Sequence, residues 1–118
     1  MSVEQNAIYV IDELVARPGQ GKALHDAYMQ RYAPGARERG MVLAHRLVEP
    51  AMWLPEGVNR LLFIWTQPDV GAVWGAKQRA RLDPDVDRWW QEEAPALVET
   101  RQRYTLAEAE ALGELDNV

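Results

Sequence analysis

Residues 7–15 read AIYVIDELV and residues 60–66 read RLLFIWT, and these two stretches decide the fold. Both are rich in β-branched and aromatic residues, and both are short enough for strands. Neither alternates cleanly. AIYVI and LLFIW are apolar at every position, as expected of strands covered on both faces. Two further strands are expected, MVLAHRLV at 41–48 and the imperfectly alternating LVETRQRYTL at 97–106.

Helical segments fill the gaps. Arg17-Pro18-Gly19-Gln20-Gly21 is a turn cluster after the first strand. A helical pattern follows over 21–39, kinked at Pro34, with Gly40 as its C-terminal stop. Residues 50–57 connect the two middle strands. Asp69 opens a second helix that runs to about residue 82, and Asp83-Pro84-Asp85 breaks and restarts it. There an Asp caps, Pro takes the first helical position and acids occupy the first turn, in a helix running to about residue 93. Residues 107–115 form a short terminal helix, and no internal repeat, low-complexity tract or linker appears. The order β-α-β-β-α-β is the split ferredoxin-like unit, an α+β fold with a four-stranded antiparallel sheet. Right-handed crossovers put both helical segments on one face of it. The other face of two apolar strands is then bare, and the simplest cover is a second copy around a two-fold axis.

Composition narrows the function classes. At 118 residues the chain has the length of one domain, 1–118, with its core at about 7–106. The hydrophobic share of 47% is too high for disorder. A net charge of −5 opposes general nucleic-acid binding, which needs a basic footprint. The absence of cysteine removes disulfides, thiolate catalysis and cysteine-ligated metals. Apolar runs of about five residues fall far short of the roughly 20 that span a bilayer. Residues 1–6 carry no signal-peptide pattern, so a soluble cytoplasmic protein is expected.

The chain resembles the dimeric α+β-barrel superfamily, in which two ferredoxin-like sheets close into one barrel. Pro18-Gly19 ahead of a long helix ending in Arg39-Gly40-Met41 is similar to the helix-one pattern of its families. Trp65 sits where antibiotic-biosynthesis monooxygenases carry Trp, and RARLDPDVDRWW at 79–90 resembles the Arg-rich, Asp-Pro, Trp segment of NIPSNAP-type members. The resemblance implies a homodimer with a pocket between the first helix and the sheet. It extends to a superfamily of oxygenases, cyclases, haem-degrading enzymes and members without known activity. Where monooxygenase and haem-degrading members place His, about nine residues past the Trp, this chain has Trp74. Where Glu is common it has Phe63. No haem or other cofactor is therefore expected.

Candidate site residues come from helical geometry. Leu24, His25, Tyr28, Met29, Tyr32 and Ala36 fall on one stripe of the first helix, opposite Asp26, Gln30 and Arg37. One imidazole and two phenols at the centre of an apolar stripe each need a hydrogen-bond partner. They either bond one another and the backbone in a packed core, or line a cavity with Trp65 and Trp74 at its far wall. In the second case His25 or His45 is the candidate base, and Tyr28 or Tyr32 donates to a developing oxyanion. Tyr9, Met29, Trp65 and Trp74 are the candidate substrate-binding residues. His45 shares a strand face with Leu43, Leu47 and Glu49, and otherwise reads as an edge-strand histidine at a dimer seam or in solvent. The spacing of His25, His45 and Glu49 gives no support to an iron site. Trp89 and Trp90 point about 100° apart, so one belongs at a rim. Lys77, Arg79 and Arg81 beside Asp83, Asp85 and Asp87 read as a salt-bridged surface, with an anion site as the alternative. Gly19-Gln20-Gly21 lacks the rest of a dinucleotide fingerprint.

Two functions fit these residues. One is a cofactor-independent enzyme that oxygenates, cyclises or isomerises a hydrophobic aromatic or polyketide-like molecule. The other is a non-catalytic small-molecule-binding or interaction protein of the NIPSNAP-like type. Either way, sedimentation velocity at micromolar concentration should show a dimer; a monomer there would remove the two-sheet barrel.

Overall fold

A computed structural model describes residues 7–116, with the side chains of 113–116 excepted. Residues 1–6, read above for a leader, lie outside the described residues. The strands are β1 (Ile8–Ala16), β2 (Val42–Glu49), β3 (Arg60–Gln67) and β4 (Val98–Ala107). They form one antiparallel sheet in the order β2-β3-β1-β4, as the ferredoxin-like reading expects. Each boundary lies within about a residue of its sequence-based position. No helix is long and apolar enough to cross a membrane.

The first helical run comprises α1 (Gly21–Ala27), a π turn (Tyr28–Tyr32) and α2 (Ala33–Glu38). Gly40 stops it at φ +92°, a left-handed conformation that favours glycine. The second run is α3 (Val70–Arg81), α4 (Pro84–Arg88), a second π turn (Trp89–Glu93) and a 3-10 turn (Ala94–Ala96). Asp69 caps α3 through Ala72 N at 2.7 Å, and Asp83 caps α4 through Asp85 N at 2.9 Å. The expected break at Asp83-Pro84 is present for the expected reason: proline has no amide hydrogen and the aspartate caps the restart. α5 (Ala109–Asp116) closes the described chain.

The two π turns share a cause. Each is followed by Ala-Pro: YMQRY precedes Ala33-Pro34, and WWQEE precedes Ala94-Pro95. Proline offers no N–H to the carbonyl four residues back, and its ring crowds that carbonyl. In both runs the alanine amide instead bonds five residues back, Ala33 to Tyr28 O and Ala94 to Trp89 O. The wider turn makes room for the ring. A π turn therefore stands where a kink at Pro34 was expected. The paired Gln-x-x-Ala-Pro segments are also a short internal correspondence that the sequence reading passed over. The two turns pack on each other: the Tyr28 and Trp89 rings meet edge-on at 6.3 Å, and Arg31 pairs with Glu93 at 3.0 Å.

Both helical runs cover one sheet face. Val10, Asp12 and Leu14 of β1 lie there beside Trp65, Phe63 and Leu61 of β3. Trp65, Trp89, Tyr28 and Phe63 are the largest buried side chains, and Tyr28 stacks on Phe63 with ring centres 3.7 Å apart. The opposite face carries Tyr9, Ile11 and Val15 beside Thr66, Ile64 and Arg60. Its margins expose Val42, Leu47 and Leu106.

Buried Asn59 pins the loop between β2 and β3. Its side chain accepts from Leu54 N at 3.0 Å and donates to the carbonyls of Met52 and Glu49. Gly21 is required beside it, because a Cβ there would stand 2.6 Å from Asn59 Oδ1. Asn59→Ala orphans three backbone groups and should cost about 1–3 kcal/mol in urea unfolding. Unchanged stability would deny the side chain that role.

Candidate functional site

The centre of the helix-facing sheet surface is a carboxylate. Asp12 follows Val10 and precedes Leu14 on the buried face of β1 and is itself fully buried. Antiparallel pairing sets Arg103 of β4 directly opposite. Arg103 Nε donates to Asp12 Oδ1 at 2.6 Å and Nη2 donates to Oδ2 at 2.8 Å, a bidentate ion pair. The Tyr28 hydroxyl donates to Asp12 Oδ2 at 2.6 Å and accepts from Trp65 Nε1 at 2.8 Å. Arg103 Nη2 also donates to the Tyr32 hydroxyl at 2.5 Å.

These bonds have a direction. Protons run from Trp65 to Tyr28 to Asp12, and from Arg103 to both Asp12 and Tyr32. Tyr28 has spent its proton on Asp12, so it cannot donate to a ligand. Tyr32 only accepts, and its own proton meets no acceptor among the described residues. Burial pushes the Tyr28 phenol well above its usual value, and the Asp12 charge adds to the rise. Burial opposes the Arg103 charge, but the bonds and charge of Asp12 outweigh it and raise its pKa.

Tyr32 also lines a cavity of about 220 Å³ between the helical layer and the sheet. Val10, Met41, Val73, Ala76 and Ala80 supply apolar wall, and Arg39, Lys77 and Arg103 supply charge. α3 contributes small residues where a helix of larger ones would fill the space. A second, mainly apolar groove of about 380 Å³ adjoins it through Val73, Lys77 and Thr105.

The sequence-selected residues are divided among several places. Tyr32 alone of them lines the first cavity. Tyr28 and Trp65 are buried in the hydrogen-bonded core, so for Tyr28 the packed-core alternative describes the geometry. Trp74 is exposed and lines the second groove, with Lys77 Nζ 5.2 Å from its ring centre, so it forms no far wall to the Tyr32 cavity. His25 lies elsewhere, near Trp53 and Phe63, with Nδ1 2.8 Å from Asp26 Oδ1 and Nε2 facing Arg46 at 3.4 Å. Met29 is half-buried against the core. Tyr9 lies on the opposite sheet face and donates to Glu108 Oε2 at 2.9 Å. His45 is exposed on that same face, opposite Ile64, with Leu47 and Glu49. The expected grouping with Leu43 is corrected: a register shift between Leu43 and His45 sends Leu43 to the helix-facing side, paired with Trp65. Trp89 is buried and Trp90 sits at the rim beneath Arg101, 3.6 Å from its ring centre.

Sequence reasoning missed Asp12, Arg103 and Arg39. An acid two residues from both Val10 and Leu14 in an otherwise apolar strand was a signal for Asp12. Arg103 and Arg39 become notable only once β4 is in register and the first helical run is docked.

No family model matches the sequence, and neither does any curated protein. Solved structures do match. A NIPSNAP-like domain protein from Burkholderia xenovorans superimposes with a TM-score of 0.69 at 12% identity, over 88% of this chain and 86% of that one. The fold is that of the NIPSNAP-like proteins. A NIPSNAP family protein with unknown function from Agrobacterium tumefaciens gives a TM-score of 0.69 at 12% identity, over 89% and 90% of the two chains. A protein of unknown function from Rhodopseudomonas palustris gives 0.57 at 20% identity, over 88% and 83%. At these identities the NIPSNAP-like likeness is one of fold. Among the described residues, no group of three His, Asp or Glu side chains could hold a metal ion.

The Tyr28 shift has a signed consequence. Its folded pKa lies above the unfolded value of about 10, so the stability it contributes is complete below pH 10 and is lost as pH rises through the folded value. Urea unfolding at stepped alkaline pH should show stability falling above about pH 10. Phenolate absorbance for Tyr28 should appear only with unfolding, and its ionisation in the intact fold would contradict the network.

Proposed function

We propose that the chain binds a small, largely hydrophobic molecule in the cavity beneath the helical layer, with Tyr32 as hydrogen-bond donor to an oxygen of that molecule. One observation carries the reading: Tyr32 ends the buried network with its proton uncommitted, and it does so at the wall of a cavity with apolar sides. Such a site combines apolar burial with a few fixed polar groups, the usual make-up of a ligand pocket.

Catalysis is the second reading, supported by the same phenol. A cofactor-independent oxygenation, cyclisation or isomerisation of an aromatic or polyketide-like molecule develops negative charge on oxygen. Tyr32, held by Arg103, is placed to stabilise that charge. Neither histidine is among the residues lining the cavity, so a base for such a reaction would have to come from elsewhere. The geometry therefore favours binding over turnover. The reading includes a homodimer, with a second copy on the open sheet face; exposed Val42, Leu47 and Leu106 support it.

Calorimetric titration with 1-naphthylmethanol, an apolar aromatic alcohol, tests the binding reading. The wild-type protein should bind it, and Ala80→Phe, at a half-exposed cavity wall, should weaken binding at least about tenfold with little change in melting temperature. Equal affinity in Ala80→Phe would place the ligand elsewhere and end the proposal.

A further inference from the structure

Arg39 ends the first helical run with only 6% of its surface exposed, yet its Nη2 has no hydrogen-bond partner among the described residues. The other terminal nitrogen, Nη1, is 3.5 Å from Asp83 Oδ2 and lies on the side of Gly35, where a Cβ would stand 3.2 Å from it. The guanidinium carbon is 5.7 Å from the centre of the Tyr32 ring. Arg79 Nη2 donates to the Arg39 carbonyl at 2.5 Å and so fixes its backbone against α3. This is a buried cation held in place with one donor unused. Asp83 compensates the charge through Nη1, but a buried charged donor such as Nη2 is costly to leave unmade.

The surroundings point the same way. The chain carries 18 acidic and 13 basic side chains, yet three basic residues line the cavity and no Asp or Glu does. Arg103 is committed to Asp12 and Arg39 Nη1 pairs with Asp83, which leaves Arg39 Nη2 as an unused donor and Lys77 as a cation with no ion pair among the described residues. Tyr32 adds a free phenol proton. These donors suit a two-oxygen monoanion, and the adjoining apolar wall suits the rest of the molecule.

We propose that the ligand of this cavity is a carboxylic acid with an apolar body, its carboxylate bound by Arg39 Nη2 and Tyr32 Oη with Lys77 closing over it. This rests on the small-molecule reading above and names the chemical class of the ligand. It takes up the anion-site alternative for Lys77, an exposed residue that lines two cavities.

The test compares 1-naphthoate with neutral 1-naphthylmethanol by calorimetry on the full chain at neutral pH and low salt. The acid should bind about tenfold to a hundredfold more tightly, the scale of one charge-assisted hydrogen bond. Arg39→Met should erase that preference while leaving the alcohol's affinity in place. Lys77→Met, at an exposed position where folding is not at risk, should reduce the preference severalfold. Equal wild-type affinities would overturn the carboxylate and leave the apolar site standing. Tighter binding of 1-naphthyl phosphate would also overturn it in favour of a phosphate. Failure of both naphthyl ligands to bind would take down the small-molecule reading as well.

Discussion

One buried charge organises this protein. Asp12 lies in the middle of a sheet face that two helical runs cover, where an isolated carboxylate would not survive ionised. Its compensation is drawn from several elements: Arg103 on the neighbouring strand, Tyr28 on the first helical run, and through Tyr28 the indole of Trp65 on β3. Breaking a buried pair of this kind by removing one partner typically costs about 3–5 kcal/mol, since the remaining charge stays buried. The arrangement thus specifies strand register, helix docking and side-chain orientation together. A β4 slipped by one residue would turn Arg103 to the other face.

The helices meet this constraint through their prolines. Pro34 and Pro95 each deny a bond to the glutamine four residues before them, and each run answers with a π turn. The turns carry the aromatic residues that meet over the network: Tyr28 and Tyr32 from the first, Trp89 and Trp90 from the second. An ordinary α-helical turn would advance Tyr32 and Ala33 differently, and both are buried here. A π turn next to a polar network and a cavity is a familiar association at functional sites. In this chain its cause is plain covalent chemistry.

The cavity lies where dense packing gives out. Tyr28, Phe63, Trp65 and Trp89 fill the space under the first run, whereas α3 presents Ala76 and Ala80 and leaves room. The network ends at that boundary with Tyr32 facing inward and Arg39 beside it. The same fixed donors that complete the core therefore also line the cavity, so a molecule bound there would meet side chains already ordered by the fold.

Much of this was readable from the chain. Period and punctuation marked four strands within about a residue and the break at Asp83-Pro84, because apolar spacing, Asp caps and prolines act locally. The stripe of Leu24, Tyr28 and Tyr32 was correctly placed against the sheet, since no other face of that helix is apolar. What a local reading could not reach was the partner of each polar group. Arg103 stands 91 residues from Asp12 and meets it only through strand register. The bulge between Leu43 and His45 sent those two residues to opposite faces, and no side-chain pattern announced it. The sequence by itself determined the elements, their order and which residues seek burial, because these depend on near neighbours. Tertiary structure alone decided which phenol keeps its proton, which arginine is buried with a donor unused and where the cavity lies, because these depend on groups brought together from distant strands and helices.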